Sequence, residues 1–310
     1  MDRKLAKFCT TLLVAVWGYL AMPGAVAAVD CQPLVVAKEQ LIPPPKHAKG
    51  LLWKVARPGH EPSYLFGTMH VGDEEIVNLP PQVGKVFDSS DSLVVEATMD
   101  GSSALEFSRL MFYEDGTLLR DLIGSELFDM TATLLARYGI PTEAAMVIKP
   151  WAVFLTLSMP PPQGRLPLDM VLTLRAQARG APVHGLETLR EQADLVSGLP
   201  IGDQIELVKE TVCNYDLLQA DLREMKRMYL ARDLGGLMAM TDKYEMTSER
   251  RYRWLTEELL WKRNERMARR MAPRLAEGNS FIAIGALHLP GKRGLLSLLE
   301  AEGYEVSPVY

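Results

Sequence analysis

The chain contains no His-Glu-x-x-His, Gly-x-Ser-x-Gly or Cys-x-x-Cys, no Gly-x-x-x-x-Gly-Lys-Ser/Thr loop and no Gly-x-Gly-x-x-Gly fingerprint. The motif-marked zincin, nucleophile-elbow, dithiol, P-loop and dinucleotide sites therefore have no footing here. Lys/Arg tracts are also missing, and a net charge of -5 leaves no basic footprint for nucleic acid. Histidine and cysteine are scarce, five and three in 310 residues, so any that recur in a pattern carry information. What is present is ordinary globular material, 48% hydrophobic and 24% charged. The length suits one large domain, or one domain with a helical insertion.

The N-terminus departs from that average. Arg3, Lys4 and Lys7 precede an apolar run from about Leu12 to Met22, and Pro23-Gly24 leads into Ala25-Val26-Ala27-Ala28. This layout is that of a signal peptide, residues 1–28, cleaved after Ala27 or Ala28. An uncleaved membrane anchor is the rival reading, against which the short apolar core and the Ala-x-Ala ending both stand. Cleavage removes three bases and one acid and moves the net charge from -5 to -7. No later stretch is long and charge-free enough to span a bilayer, so the expected product is exported, periplasmic or secreted. Cys9 leaves with the leader, and Cys31 and Cys213 remain as a pair that an oxidising compartment allows to join.

Residues 29–49, with Pro43-Pro44-Pro45, read as an extended linker. LLWKVA and SYLFGT then read as two strands around the turn RPGHEP, and SLVVEATM as a third. Helical patterns dominate about residues 100–165 and 200–278. Between them LDMVLTLRAQARG reads as a helix stopped by Gly180, and APVHGLET as a strand. The chain closes with strand FIAIGALH, helix RGLLSLLEAEG and strand YEVSPVY. The expectation is an α/β fold whose mixed sheet is built from N- and C-terminal strands, with a large helical middle.

Two segments share one grammar. Gly67-Thr68-Met69-His70 and Gly285-Ala286-Leu287-His288 each follow an apolar strand, and Gly72 and Gly291 follow them in turn. Glycine permits a sharp turn or a close approach, and a histidine just past a strand stands at the rim where α/β folds bind ligands. Each histidine can equally cap a loop, whereas two in one frame point to a shared site. Glu96 and Glu187 also end apolar runs, and a lone buried carboxylate is costly unless solvated, paired or coordinated. A salt bridge or helix N-terminal contact accounts for either one. Should the four strand ends converge, two imidazoles and two carboxylates suit a divalent ion such as Zn²⁺, Mn²⁺ or Co²⁺ with an open position for water. On the last long helix Asn264 shares a face with Leu260, Met267 and Met271, and Arg263 lies beside it. That pair either holds a substrate carbonyl or oxyanion, or belongs to an exposed charged helix with i,i+4 pairs.

These segments, LFGTMHVG, VVEATM and IGALHLPGKRGLLSLLEAEGYEV, resemble the TraB/GumN family, also called TIKI-like. KPWAV, LDMVLTLRAQARGAPVHGLETLREQ and KRNERMA are similar to family segments in the expected order, so the resemblance spans about residues 50–310. It implies an α/β fold related to erythromycin-esterase-like and haem-binding ChaN-like proteins. It also implies a metal-dependent peptidase activity on a peptide or small-protein substrate. Carried over by position, His70, Glu96 and His288 are the metal candidates, and Glu187, Arg263 and Asn264 the catalytic ones. Two other expectations remain beside the hydrolase: a non-enzymatic haem- or metal-binding protein, and an interaction module with a degenerate site.

Overall fold

A computed structural model describes residues 29–37, 43–245 and 248–310, without the side chains of Glu249 and Tyr252. The expected signal peptide, residues 1–28, lies outside the described residues, as do residues 38–42 of the expected linker. The described chain is an α/β fold with a mixed sheet of six strands. These are β1 (Leu52–Ala56), β2 (Ser63–Thr68), β3 (Ser92–Ala97), β4 (Val183–Glu187), β5 (Ser280–Gly285) and β6 (Glu305–Pro308). Their order across the sheet is β4-β3-β5-β2-β1-β6.

β4, β3, β5 and β2 run parallel, whereas β1 is antiparallel to both β2 and β6. The β1–β2 hairpin turns through Gly59, whose φ of +82° is open to glycine at little cost. β3 and β5 are buried on both faces, which is why they read as unbroken apolar runs and not as alternating ones. Because β5, from the C-terminal part of the chain, inserts between β3 and β2, the carboxyl ends of four parallel strands share one edge. In open α/β sheets that edge is where ligands bind.

Two apolar cores support this arrangement. The sheet packs against Leu168, Leu172 and Ala176 of the Leu168–Ala178 helix, Met267, Met271 and Leu275 of the Lys262–Glu277 helix, and Leu295, Leu296 and Leu299 near the C-terminus. A separate helical core gathers Leu127, Phe128, Trp151, Val208 and Val212 among others. The helix Pro81–Ser89 crosses between β2 and β3 with Pro81 at its first position, where the missing N–H costs nothing. Gly180 takes φ +73° just past the Leu168–Ala178 helix and lets the chain turn into β4.

The segment before the sheet is fastened at both ends. Cys31 and Cys213 form a disulfide across a sequence separation of 182 residues, joining it to the end of the Ile201–Cys213 helix. Val36 and Lys49 bridge to Tyr244 and Asp233. Chain-entropy reasoning gives about 5 kcal/mol for so long a loop, and disulfides typically deliver about 2–4 kcal/mol, which is the cost expected on replacing both cysteines by serine. Denaturant unfolding of the double variant beside the wild type measures it, and an unchanged midpoint would show that the link adds nothing to stability.

Candidate active site

Glu96, the last buried residue of β3, is a carboxylate almost fully removed from water. Its Oε1 accepts the Gly285 N–H at 2.8 Å, and its Oε2 accepts Arg263 Nη2 at 2.5 Å. Oε1 also stands 3.8 Å from His70 Nε2 and 3.9 Å from His288 Nε2. Burial alone would raise the Glu96 pKa, but the two imidazoles, Arg263 and the Gly285 N–H outweigh it and hold the carboxyl well below the usual range. One carboxylate oxygen thus faces both histidines of the repeated motif.

Each imidazole is oriented by a partner behind it. His70 Nδ1 donates to Asp169 Oδ2 at 2.7 Å, and Thr68 Oγ1 donates to Asp169 Oδ1 at 2.8 Å. Desolvation pulls the His70 pKa down, but Asp169, through charge and hydrogen bond, and Glu96 lift it to about 9. A cation taking Nε2 would therefore displace a proton. For His288 the tautomer follows from a chain of constraints. Asn264 Nδ2 donates to the Arg293 carbonyl at 2.9 Å, so Asn264 Oδ1 must be the atom facing His288 Nδ1 at 2.5 Å. That nitrogen carries the proton, and the lone pair is on Nε2. Burial, reinforced by Arg263, outweighs Glu96 and lowers the His288 pKa to about 4, so the ring is neutral near pH 7.

Arg263 and Glu187 complete the group. Glu187, the last residue of β4, has a side chain with no exposed surface and lies between two guanidinium groups. Its Oε2 accepts Arg263 Nε at 2.9 Å and Nη2 at 2.8 Å, and its Oε1 accepts Arg266 Nε at 2.9 Å. Arg263 Nη1 makes only longer contacts, 3.4 Å to His288 Nε2 and 3.4 Å to the Leu259 carbonyl. Arg263, Arg266, Arg270 and Arg274 form a row along β4: Arg270 donates to the Leu186 carbonyl and pairs with Glu191, and Arg274 reaches His184. The row lies beside the buried stripe of Asn264, Met267, Met271 and Leu275. A π-helical turn, Glu257–Trp261, precedes it and continues directly into the Lys262–Glu277 helix. Such turns are frequent at functional sites.

All six residues singled out from the sequence meet in one contact network. Two of the six are more fully engaged by neighbours than the sequence suggests. Asn264 is fully buried, with Nδ2 donating to the Arg293 carbonyl and Oδ1 accepting from His288, so its amide is not exposed to a substrate. Each Glu187 oxygen accepts two guanidinium N–H groups, which commits this carboxylate to Arg263 and Arg266. Three participants were not anticipated: Asp169, Arg266 and Gln192, whose Nε2 lies 3.4 Å from Glu96 and 3.3 Å from Glu187. Asp169 had a usable signal, an acid in the first turn of the helix that follows the proline-rich break.

The repeated glycines serve different ends. A Cβ on Gly67 would lie 3.2 Å from Ala286, whereas one on Gly285 would lie 3.0 Å from Glu96 Oε1 and 3.8 Å from His70 Nε2. Gly67 lets the two motifs pack together, and Gly285 leaves the space between the three donors open. As donors for a divalent ion, His70 Nε2, His288 Nε2 and Glu96 Oε1 have the right chemistry and fixed tautomers. Among the described residues no three His, Cys, Asp or Glu side chains stand in a metal-holding group. Ligands of one tetrahedral ion are roughly 3.4 Å apart, and the two nitrogens stand 3.8 and 3.9 Å from Glu96 Oε1. The chemistry of these donors fits a divalent ion, and their spacing is wider than a bound ion sets.

The TraB/PrgY/gumN family model matches residues 51–308. Metalloprotease TIKI2 of Danio rerio is 26% identical over 318 residues, covering 84% of this chain and 61% of the relative. Metalloprotease TIKI1 of Homo sapiens is 21% identical over 350 residues, covering 96% of this chain and 67% of the relative. Uncharacterized protein YbaP of Shigella flexneri is 24% identical over 254 residues, covering 79% of this chain and 90% of the relative. The chain spans 61% of the length of the zebrafish TIKI2 protein, so it corresponds to part of that relative. No solved structure matches the chain. The family model runs from the start of the sheet through its last strand and takes in both histidine motifs, and the chain belongs to the TraB/PrgY/gumN family.

Proposed function

We propose that this chain is an exported metal-dependent hydrolase that cuts peptides or small proteins. His70, Glu96 and His288 would hold one divalent ion of the Zn²⁺, Mn²⁺ or Co²⁺ class. The observation that carries the reading is the convergence of two Nε2 atoms, each with its Nδ1 committed elsewhere, on one oxygen of a buried carboxylate. The printed names of the TIKI relatives, metalloproteases, support it at low identity. When bound, the ion would polarise the scissile carbonyl and acidify a water at the same point.

The protein's own groups then divide the work. Asp169 and Asn264 hold the two imidazoles in position. Arg263 Nη1, the guanidinium nitrogen with only long contacts, is the donor available to a developing oxyanion. Glu187 acts as a positioning residue, because with Arg266 it anchors the rest of that guanidinium. A haem between His70 and His288 is a poorer fit, since both Nε2 atoms face one buried carboxylate oxygen, a donor set that suits a small cation.

Export rests on the leader-like residues 1–28, and the Cys31–Cys213 disulfide supports an oxidising destination, the periplasm or the exterior. No helix among the described residues is long and apolar enough to cross a membrane. Residues 29–49 would serve as a tethered linker, and residues 50–310 as one α/β domain with helical insertions at about 100–165 and 200–278. Kinship with erythromycin-esterase-like and ChaN-like folds belongs to the same proposal.

Elemental analysis of the purified mature protein, beside a His70→Ala/His288→Ala double variant, is the first test. About one transition metal per chain is expected in the wild type only, with peptide cleavage abolished by a chelator. Absence of metal in both, even after incubation with Zn²⁺, Mn²⁺ and Co²⁺, would overturn the metal reading and leave the interaction module standing. Gly285→Ala is a second test that removes no donor. The backbone at Gly285, φ -48°, accepts alanine, so the new methyl acts by crowding Glu96 Oε1, while His288 and His70 lie at ordinary contact distance from it. Metal affinity and kcat/KM are expected to fall ~10–100-fold, with the melting temperature nearly unchanged. Wild-type activity in this variant would show that the space between the donors is not used.

A further inference from the structure

A cavity of about 300 Å³ opens directly beside His70 and Glu96. One wall is the Leu168–Ala178 helix, which turns Met170, Thr173 and Leu174 toward it while Leu168, Leu172 and Ala176 face the sheet. Met99, just past β3, and Leu189 also line the cavity. Met99 and Leu174 are large apolar side chains left 49% and 50% exposed, which solvent alone does not favour. The charged groups of the cavity, His70, Glu96 and Asp169, are paired with one another at one end, and its walls are otherwise apolar or uncharged. A polar end at the candidate reaction centre and apolar walls beyond it are the features of a side-chain subsite.

We propose that this cavity is the specificity subsite of the hydrolase, taking one bulky apolar side chain of an extended peptide next to the bond that is cut. This rests on the hydrolase reading above and adds the substrate class to it. The volume is at the small end for ligand pockets, so it suits one side chain and not a whole folded ligand. Acidic side chains are disfavoured, because Glu96 and Asp169 stand at the polar end and the other polar groups of the lining, Thr173, Gln177 and Gln192, carry no charge to pair with them. Met99 and Met170 reshape easily, so the subsite admits leucine, phenylalanine and methionine alike.

The test uses the metal-loaded protein and a set of peptides differing at one residue, with leucine, phenylalanine, methionine, serine, aspartate or lysine at that place. Cleavage is followed by mass spectrometry, and binding of the same peptides to metal-free protein by calorimetry. The wild type is expected to favour the bulky apolar peptides over the aspartate peptide by at least about tenfold in kcat/KM. Leu174→Asp and Met99→Asp should erase that preference through KM while metal content and melting temperature stay as in the wild type, both side chains being exposed. Cleavage without apolar preference, or preference surviving in both variants, would overturn the subsite and leave the hydrolase reading intact. No cleavage, but tighter binding of the leucine peptide that Leu174→Asp abolishes, would keep the subsite and overturn the hydrolase. Neither cleavage nor selective binding would overturn both.

Discussion

The charge on Glu96 is the constraint on which the site depends. β3 is an apolar strand that carries a carboxylate out of water at its last buried position, and an isolated carboxylate there would be prohibitive. The structure answers it with the Gly285 N–H on one oxygen and Arg263 on the other. Arg263 in turn is a cation taken out of water, and Glu187 neutralises it. Arg266 then balances Glu187, and from there the arginine row continues along β4 toward solvent. Each buried charge is met by the next until the sequence of partners reaches the surface. Removing one member of such a buried pair typically costs about 3–5 kcal/mol, so these residues carry stability whatever else they do.

That coupling explains why Glu187 and Asn264 look catalytic in the sequence and act one step away in the structure. Both are polar residues on apolar elements, which is the pattern of a functional group. Pattern cannot distinguish an atom that faces a substrate from one that faces the residue facing it. The distinction lies in individual atoms: Asn264 has its Nδ2 on a carbonyl and its Oδ1 on His288, whereas Arg263 keeps one nitrogen in only long contacts.

Most of the strands were legible because parallel strands buried on both faces leave short, unbroken apolar runs such as LVV and FIAI. The helix Pro81–Ser89 was not, since Gly84 interrupts its pattern and only Val83 and Phe87 reach the core. The sequence places Leu260, Asn264, Met267 and Met271 on one face of a continuous α-helix. The π turn at Glu257–Trp261 shifts the phase there, leaving Leu260 half-buried while the other three are fully buried. Asp169 escaped notice because an acid in the first turn of a helix has a sufficient explanation in the helix dipole. Only the fold shows that it also holds His70.

The convergence of the two histidines follows from register. β2 and β5 pair in parallel with Gly67 opposite Ile284 and Thr68 opposite Gly285, so the motifs end one residue out of step. His70 lies two residues beyond its strand, and His288 three residues beyond its own at the end of a short 3-10 turn. The longer excursion and tighter turn of the second motif offset the difference in register. Both imidazoles then reach the carboxylate of β3, the neighbour of β5 on its other side. Side chains alternate between sheet faces, so a slip of one residue between β2 and β5 would turn Thr68 away from Asp169 and carry His70 from its partner. The repeated Gly-x-x-His motif therefore acts through strand pairing, and its two histidines share a site because β5 is threaded between β2 and β3.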